Sequence, residues 1–240
     1  MSRSTGRRMV ARCGYHGWHD WCLPLEDFVP AGLGAQVPEF RAAEPATLEA
    51  LFEANPGQIA AVIVAPEMVL PPARETFATL IDVTHRHGAV FVLDEVKTAF
   101  RIAPGSMQQR LGLVPDLTTV SKALGNGWPI AALVGKREVM QAGAGMHYSA
   151  TFHGDTVPMA AALAVLDILD RRDPVDVPAH VWHLGEQLIA GLDEIARRHG
   201  VPASAYGEPL PPMPFLRFTH PVAAVNDAVG TSFFAEILAR

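Results

Sequence analysis

The chain has 240 residues, 49% of them apolar and 18% charged, with a net charge of −6. This globular mixture excludes a disordered or fibrous chain, and the acidic balance argues against a dedicated nucleic-acid binder. At about 150 residues per domain, the length fits one large domain and a piece of another.

Residues 1–19 carry Arg3, Arg7, Arg8 and Arg12 and no acid before Asp20. That pattern resembles a mitochondrial transit peptide. The plainer reading is a basic entry to a strand, because Met9-Val10-Ala11 leads straight into an aromatic motif. Residues 47–54 predict a short helix, with Thr47 as N-cap and Pro56-Gly57 as its stop. The run 58–65 lacks alternation and is rich in β-branched residues, as in a strand buried on both faces. Residues 74–87 predict an amphipathic helix with Phe77, Leu80, Ile81 and Thr84 on one face and Gly88 at its end. Further strands are expected over 89–93, 117–120 and 130–134. Strand–helix–strand alternation of this kind implies an α/β layer with a mostly parallel sheet and helices on both faces.

Beyond residue 155 the texture changes. An Ala-rich helix over 158–169 is apolar enough to be packed on most sides. Residues 171–178 read as a charged linker. A long helix over 179–199 presents Val181, Leu184, Leu188, Leu192, Ile195 and Ala196 as its apolar side. Residues 202–214 are turn-rich, 215–218 read as a strand, and 223–239 form a last helix carrying Phe233, Phe234, Ile237 and Leu238. The apolar face of that helix is expected to lie uncovered. The expected organisation is a large domain over 1–170 and a linker, helix and partial small domain over 171–240. No apolar run nears the roughly 18 residues of a membrane helix. The 2 cysteines, Cys13 and Cys22, show neither metal nor disulfide spacing, which fits a reducing, cytoplasmic setting.

Ligands of open α/β sheets collect at the carboxyl ends of strands, and Asp94 and Lys122 both fall there. Lys122 sits between a buried strand and Gly125-Asn126-Gly127. A lysine partly withdrawn from water at that point is a nucleophile able to condense with a carbonyl, and the glycines would let backbone approach a planar ligand closely. A surface lysine is the alternative. Asp94 is driven into an apolar setting by Val90-Phe91-Val92-Leu93, where an unpaired carboxylate is costly. A bound cation such as a protonated pyridine nitrogen would resolve that; a turn cap, or a salt bridge to Lys97 or Arg101, would too. Tyr15-His16-Gly17-Trp18-His19-Asp20 suits stacking on a cofactor ring. Its rival reading is a metal site using His16 and His19 with Asp20 or Asp94.

Four motifs in order resemble those of the class III aminotransferases, pyridoxal-phosphate enzymes of fold type I, and most of all the glutamate-1-semialdehyde aminomutase branch. They are Cys13-Gly14-Tyr15-His16-Gly17-Trp18-His19-Asp20, Asp94-Glu95-Val96-Lys97-Thr98-Ala99-Phe100-Arg101, Ser121-Lys122-Ala123-Leu124-Gly125-Asn126-Gly127 and Ala150-Thr151-Phe152-His153-Gly154-Asp155. The separation of Asp94 from Lys122 also looks like the family's. The resemblance implies a pyridoxal 5'-phosphate site in which Lys122 and Asp94 are catalytic. Tyr15, His16 and Val96 would bind the cofactor together with them. Thr151 would reach the phosphate in the other subunit of a homodimer. It implies transfer of an amino group between a small-molecule donor and a keto or aldehyde acceptor, or within one molecule.

Departures accompany the resemblance. Ala65-Pro66 stands where the family has Glu-Pro, with Glu67 just after, and Ala99 replaces a Gly. The family's phosphate-cradling helix start would lie upstream of residue 1. The expectation is therefore a fragment or truncated product that binds the cofactor weakly. The alternatives are a folded but non-catalytic remnant and, more remotely, a metal-dependent hydrolase.

Overall fold

The computed structural model describes residues 2–19, 21–22, 36–69, 72–147, 149, 151–171, 175–207 and 210–239. They divide into two compact units, Met1–Pro174 and Val175–Arg240.

The first unit is built on a five-stranded sheet of β1 (Met9–Cys13), β2 (Ile59–Val64), β3 (Val90–Asp94), β4 (Leu117–Val120) and β5 (Ala132–Gly135), in that spatial order. The first four strands run parallel and β5 pairs antiparallel to β4. Every residue of β2 and β3 is buried. Alternate side chains supply two cores, because successive side chains point to opposite faces. Val62, Val64, Phe91 and Leu93 join Leu48, Phe52, Phe77 and Leu80 in one cluster. Ala61, Ile63, Val90 and Val92 join Leu117 and the half-buried Val139 in the other.

Helices close both faces. On one lie α2 (Ala46–Ala54) and α3 (Arg74–Arg86), and Val139 on the other belongs to α5 (Arg137–Ala142). Three details depart from the sequence expectations. Thr47 is not the N-cap: Pro45 holds that position, and the Thr47 hydroxyl donates instead to the Glu44 carbonyl at 2.8 Å. On α3 the buried row is Phe77, Leu80, Val83 and Thr84, with Ile81 only partly covered. The last strand begins at Ala132 and is largely exposed.

Short α1 (Ser2–Thr5), α4 (Ser106–Leu111) and α5 lack the periodic runs that make helices legible, and the sequence reading missed them. The helix α6 (Thr156–Arg171) was expected to be packed on most sides. Only Pro158, Ala162 and Leu169 are buried; Val157, Met159, Leu163, Leu166 and Ile168 are exposed.

In the second unit, α7 (Val177–His199) starts earlier than expected. The Asp176 side chain caps it by accepting from the Ala179 amide, and Pro178 belongs to its first turn, where a missing N–H costs nothing. Its buried row is Pro178, Gly185 and Ala196, whereas Leu184, Leu188 and Ile195 are exposed. Gly185 lets the chain at Pro211 come close, since a Cβ there would stand 2.0 Å from the Pro211 carbonyl oxygen. The strand β6 (Ala203–Tyr206), read as turn from the sequence, pairs antiparallel with β7 (Phe215–Phe218). In α8 (Ala223–Leu238) no residue is buried, and Phe234, Ile237 and Leu238 are exposed. No described helix is long and apolar enough to cross a membrane.

Candidate active site

Most of the residues singled out from the sequence gather at the carboxyl ends of the parallel strands. Asp94 is the last residue of β3, pairs in register with Thr119 of β4, and is 8% exposed. Three donors surround it. Its Oδ2 lies 2.6 Å from His16 Nδ1, and its Oδ1 accepts from the Thr119 hydroxyl at 3.0 Å and the Val96 amide at 3.1 Å. Burial works to raise its pKa, but the bonds from His16, Val96 and Thr119 outweigh it, so Asp94 titrates below the ordinary aspartate value. Its partner is thus His16, not Lys97 or Arg101, although the bond to Val96 does cap the turn that follows.

Glu95 faces the other way and is fully buried. It accepts from the Thr98 hydroxyl and from the Met107 and Gln108 amides at the start of α4. Burial outweighs those bonds and raises its pKa. Its work is structural, tying the turn after Asp94 to the next helix.

His16 enters on the loop after β1. The side chain is 1% exposed, its ring stacks on Trp21 with centroids 6.3 Å apart, and its Nε2 is buried without a hydrogen-bond partner. The Cys22 thiol closes the loop by donating to the carbonyls of Gly17 and His19. Gly14 and Gly17 adopt positive φ there.

Lys122 follows β4 and has a φ of 43°. A lysine in that left-handed region is strained, and such residues gather at functional sites. The strain is held from both sides. The Ser121 hydroxyl donates to the Ile130 carbonyl at 2.7 Å, and the Lys122 carbonyl accepts from the Gly125 and Asn126 amides, each at 3.1 Å. The expected withdrawal of Lys122 from water is not found: the residue is exposed. Gly125 also differs from expectation. A Cβ there would stand 2.2 Å from the Trp128 carbonyl oxygen, so its bareness serves its own turn.

Charge pairing separates the lysines. The chain has three, Lys97, Lys122 and Lys136. Lys97 pairs with Glu67 at 2.6 Å and Lys136 with Asp116 at 2.7 Å. Lys122 forms no ion pair among the described residues. One cavity of about 330 Å³ is lined by Tyr15, His16, Asp94, Val96 and Lys122, five of the six residues singled out from the sequence, and also by Glu67, Lys97 and Ser121. Thr151, the sixth, lies in an exposed turn and does not line it. Asp20 and Ala150 fall outside the described residues. Among the described residues no three His, Cys, Asp or Glu side chains gather so as to hold a metal ion.

Sequence reasoning missed Thr119 and the Glu67–Lys97 pair. The position of Thr119 opposite Asp94 follows from strand register, which no local pattern encodes. Glu67 was noticed only as a neighbour of a departure from the family pattern.

Several known proteins are similar to this chain. A 3-aminobutyryl-CoA aminotransferase from Cloacimonas acidaminovorans is 32% identical across 98% of the chain and 57% of its own length. A 2'-deamino-2'-hydroxyneamine transaminase from Streptomyces kanamyceticus is 38% identical across 85% of the chain and 51% of its own length. The solved structure of the FumI protein of Sphingopyxis sp. MTA144, in its PLP internal aldimine form, superposes with a TM-score of 0.80 at 30% identity, covering 91% of this chain and 53% of that one. The chain spans about half the length of these relatives. The model of the family described as aminotransferase class-III matches residues 14–206, and the chain belongs to that family.

Proposed function

We propose that this site holds pyridoxal 5'-phosphate and serves amino-group transfer, as a transaminase or a 2,1-aminomutase. One observation carries the reading. The lysine that has no carboxylate partner among the described residues opens into the same cavity as the buried, hydrogen-bonded carboxylate of Asp94. The residues fit the group: the free amine matches an aldehyde, and the carboxylate matches a protonated ring nitrogen. Bound, the cofactor would supply an aldehyde that accepts amines and a ring that takes up electron density.

Each residue then has a part. Lys122 Nζ would be the amine that holds the aldehyde, and the same atom would be placed to accept and return a proton. Asp94 remains a carboxylate and holds the proton on the ring nitrogen. His16 orients Asp94 through Nδ1. Tyr15 and Val96, which line the same cavity, would flank the ring. Thr151, exposed on its turn, would serve the phosphate in a second copy of the chain, which makes a homodimer part of the proposal. The substrates are an amino donor and a keto or aldehyde acceptor.

The test is attachment. The chain is incubated with pyridoxal phosphate, reduced with borohydride, digested and mapped by mass. The reading requires the added mass on the peptide containing Lys122. Label on Lys97 or Lys136 alone, or none, overturns it.

A further inference from the structure

Glu67 is 3% exposed, on the short 3-10 turn Pro66–Met68 that follows β2. Its carboxylate oxygens are buried, and among the described residues its ion-pair partner is Lys97, whose Nζ lies 2.6 Å from Oε1. It also adds to the upward push on the pKa of buried Glu95. A buried carboxylate beside another needs a cation, and Lys97 supplies it. Lys97 does more than neutralise. Its ammonium nitrogen stands 5.1 Å from the centroid of the Tyr15 ring, within cation–π range.

Tyr15 is 48% exposed and follows Gly14, whose φ of +106° suits glycine. The loop at Gly14 lies directly against the Glu67 turn: a Cβ on Gly14 would stand 2.7 Å from the Cβ of Ala65. The Ala65 amide donates to the Cys13 carbonyl at 3.0 Å, and the Met68 amide to the Ala65 carbonyl at 3.1 Å. A side chain at position 14 would push the two segments apart.

We infer that Glu67 and Lys97 are positioning residues for Tyr15: the buried carboxylate fixes the ammonium, and the ammonium fixes the aromatic ring at the cavity wall. The placement of Tyr15 against a cofactor ring rests on the function proposed above; the ordering of the loop by the pair does not.

Two measurements on the full chain separate these. The first, without cofactor, is amide hydrogen exchange of the peptide spanning residues 15–18. Lys97→Met should raise exchange there by about tenfold, and Lys97→Arg, which keeps the cation and its reach, should restore protection. The double variant Glu67→Gln/Lys97→Met leaves no buried charge orphaned, so it keeps the test open if Lys97→Met folds poorly. It too should expose the loop. Unchanged exchange in the double variant means that Lys97 serves only to neutralise Glu67, and overturns the inference. The second is titration with pyridoxal phosphate followed by absorbance. Lys97→Met should weaken binding by about tenfold in the parent chain and have no effect in a Tyr15→Leu background. Equal losses in both backgrounds overturn the inference. Absence of binding by the parent chain overturns the proposed function, and hydrogen exchange then decides the inference alone.

Discussion

Asp94 and Lys122 leave neighbouring parallel strands at the same end of the sheet, yet the fold treats them in opposite ways. Asp94 is buried, held by three donors, and fixed in its charged form. Lys122 is exposed, forms no ion pair among the described residues, and has its backbone held in a strained left-handed conformation. The contrast separates a fixed charge from a free amine. A charge that steadies a ligand works best when it cannot move, since preorganised groups need no rearrangement during a reaction. An amine that must form and release a bond needs freedom at its tip.

Substitutions at the two positions should therefore split activity from stability. The largest expected effect is on activity. Lys122→Ala should abolish amino transfer, because the other two lysines are committed to carboxylates. Its unfolding free energy should stay within about 0.5 kcal/mol of the parent, as for a surface substitution. Urea unfolding and a half-reaction assay on the same preparation check both; appreciable turnover would end the assignment.

Asp94→Asn should show the opposite mixture. It keeps the shape, removes the charge, and leaves His16 facing an amide. A loss of about 1–3 kcal/mol in stability is expected from the disrupted charge-assisted bonds, together with a fall in transfer rate of about tenfold for each 1.4 kcal/mol of lost transition-state stabilisation. If Asp94→Asn lost stability alone, with rate and cofactor absorbance unchanged, Asp94 would be a turn cap and nothing more.

The depressed pKa of Asp94 gives this difference a pH signature. A folded value below the unfolded one means the unfolded chain binds the proton more readily. The stabilisation is then fully present above the unfolded aspartate value of about 3.9, and it fades as pH falls through the lower folded value. The stability gap between the parent chain and Asp94→Asn should accordingly be constant near neutrality and shrink in acid. Denaturation midpoints taken between about pH 3 and pH 7 would show it; a gap that widens in acid would contradict the assignment of a fixed carboxylate.

The smallest effect should come from Thr119→Val. It removes one hydroxyl bond to Asp94 Oδ1 and keeps the β-branched shape of the strand. About 1 kcal/mol of stability is expected to be lost, with a modest decline in transfer rate. An effect as large as that of Asp94→Asn would show that Thr119, more than His16, controls the carboxylate.

Much of this was legible in local sequence, and for a physical reason. Strands β2 and β3 are buried on both faces, so burial alone dictates their unbroken apolar runs. The positions of Asp94 and Lys122 at strand ends follow from where those runs stop. The four motifs in order were enough to suggest the family to which the chain belongs. What only the tertiary structure decided are pairings between segments distant in sequence. Those include His16 with Asp94, Thr119 opposite Asp94, and Glu67 with Lys97 under the ring of Tyr15. They include the close approach of the Pro211 carbonyl to Gly185 of α7. Hydrophobic periodicity records which face of an element avoids water. It does not record which polar atom meets which across a sheet, because that depends on register and on loops that close only once the core has formed.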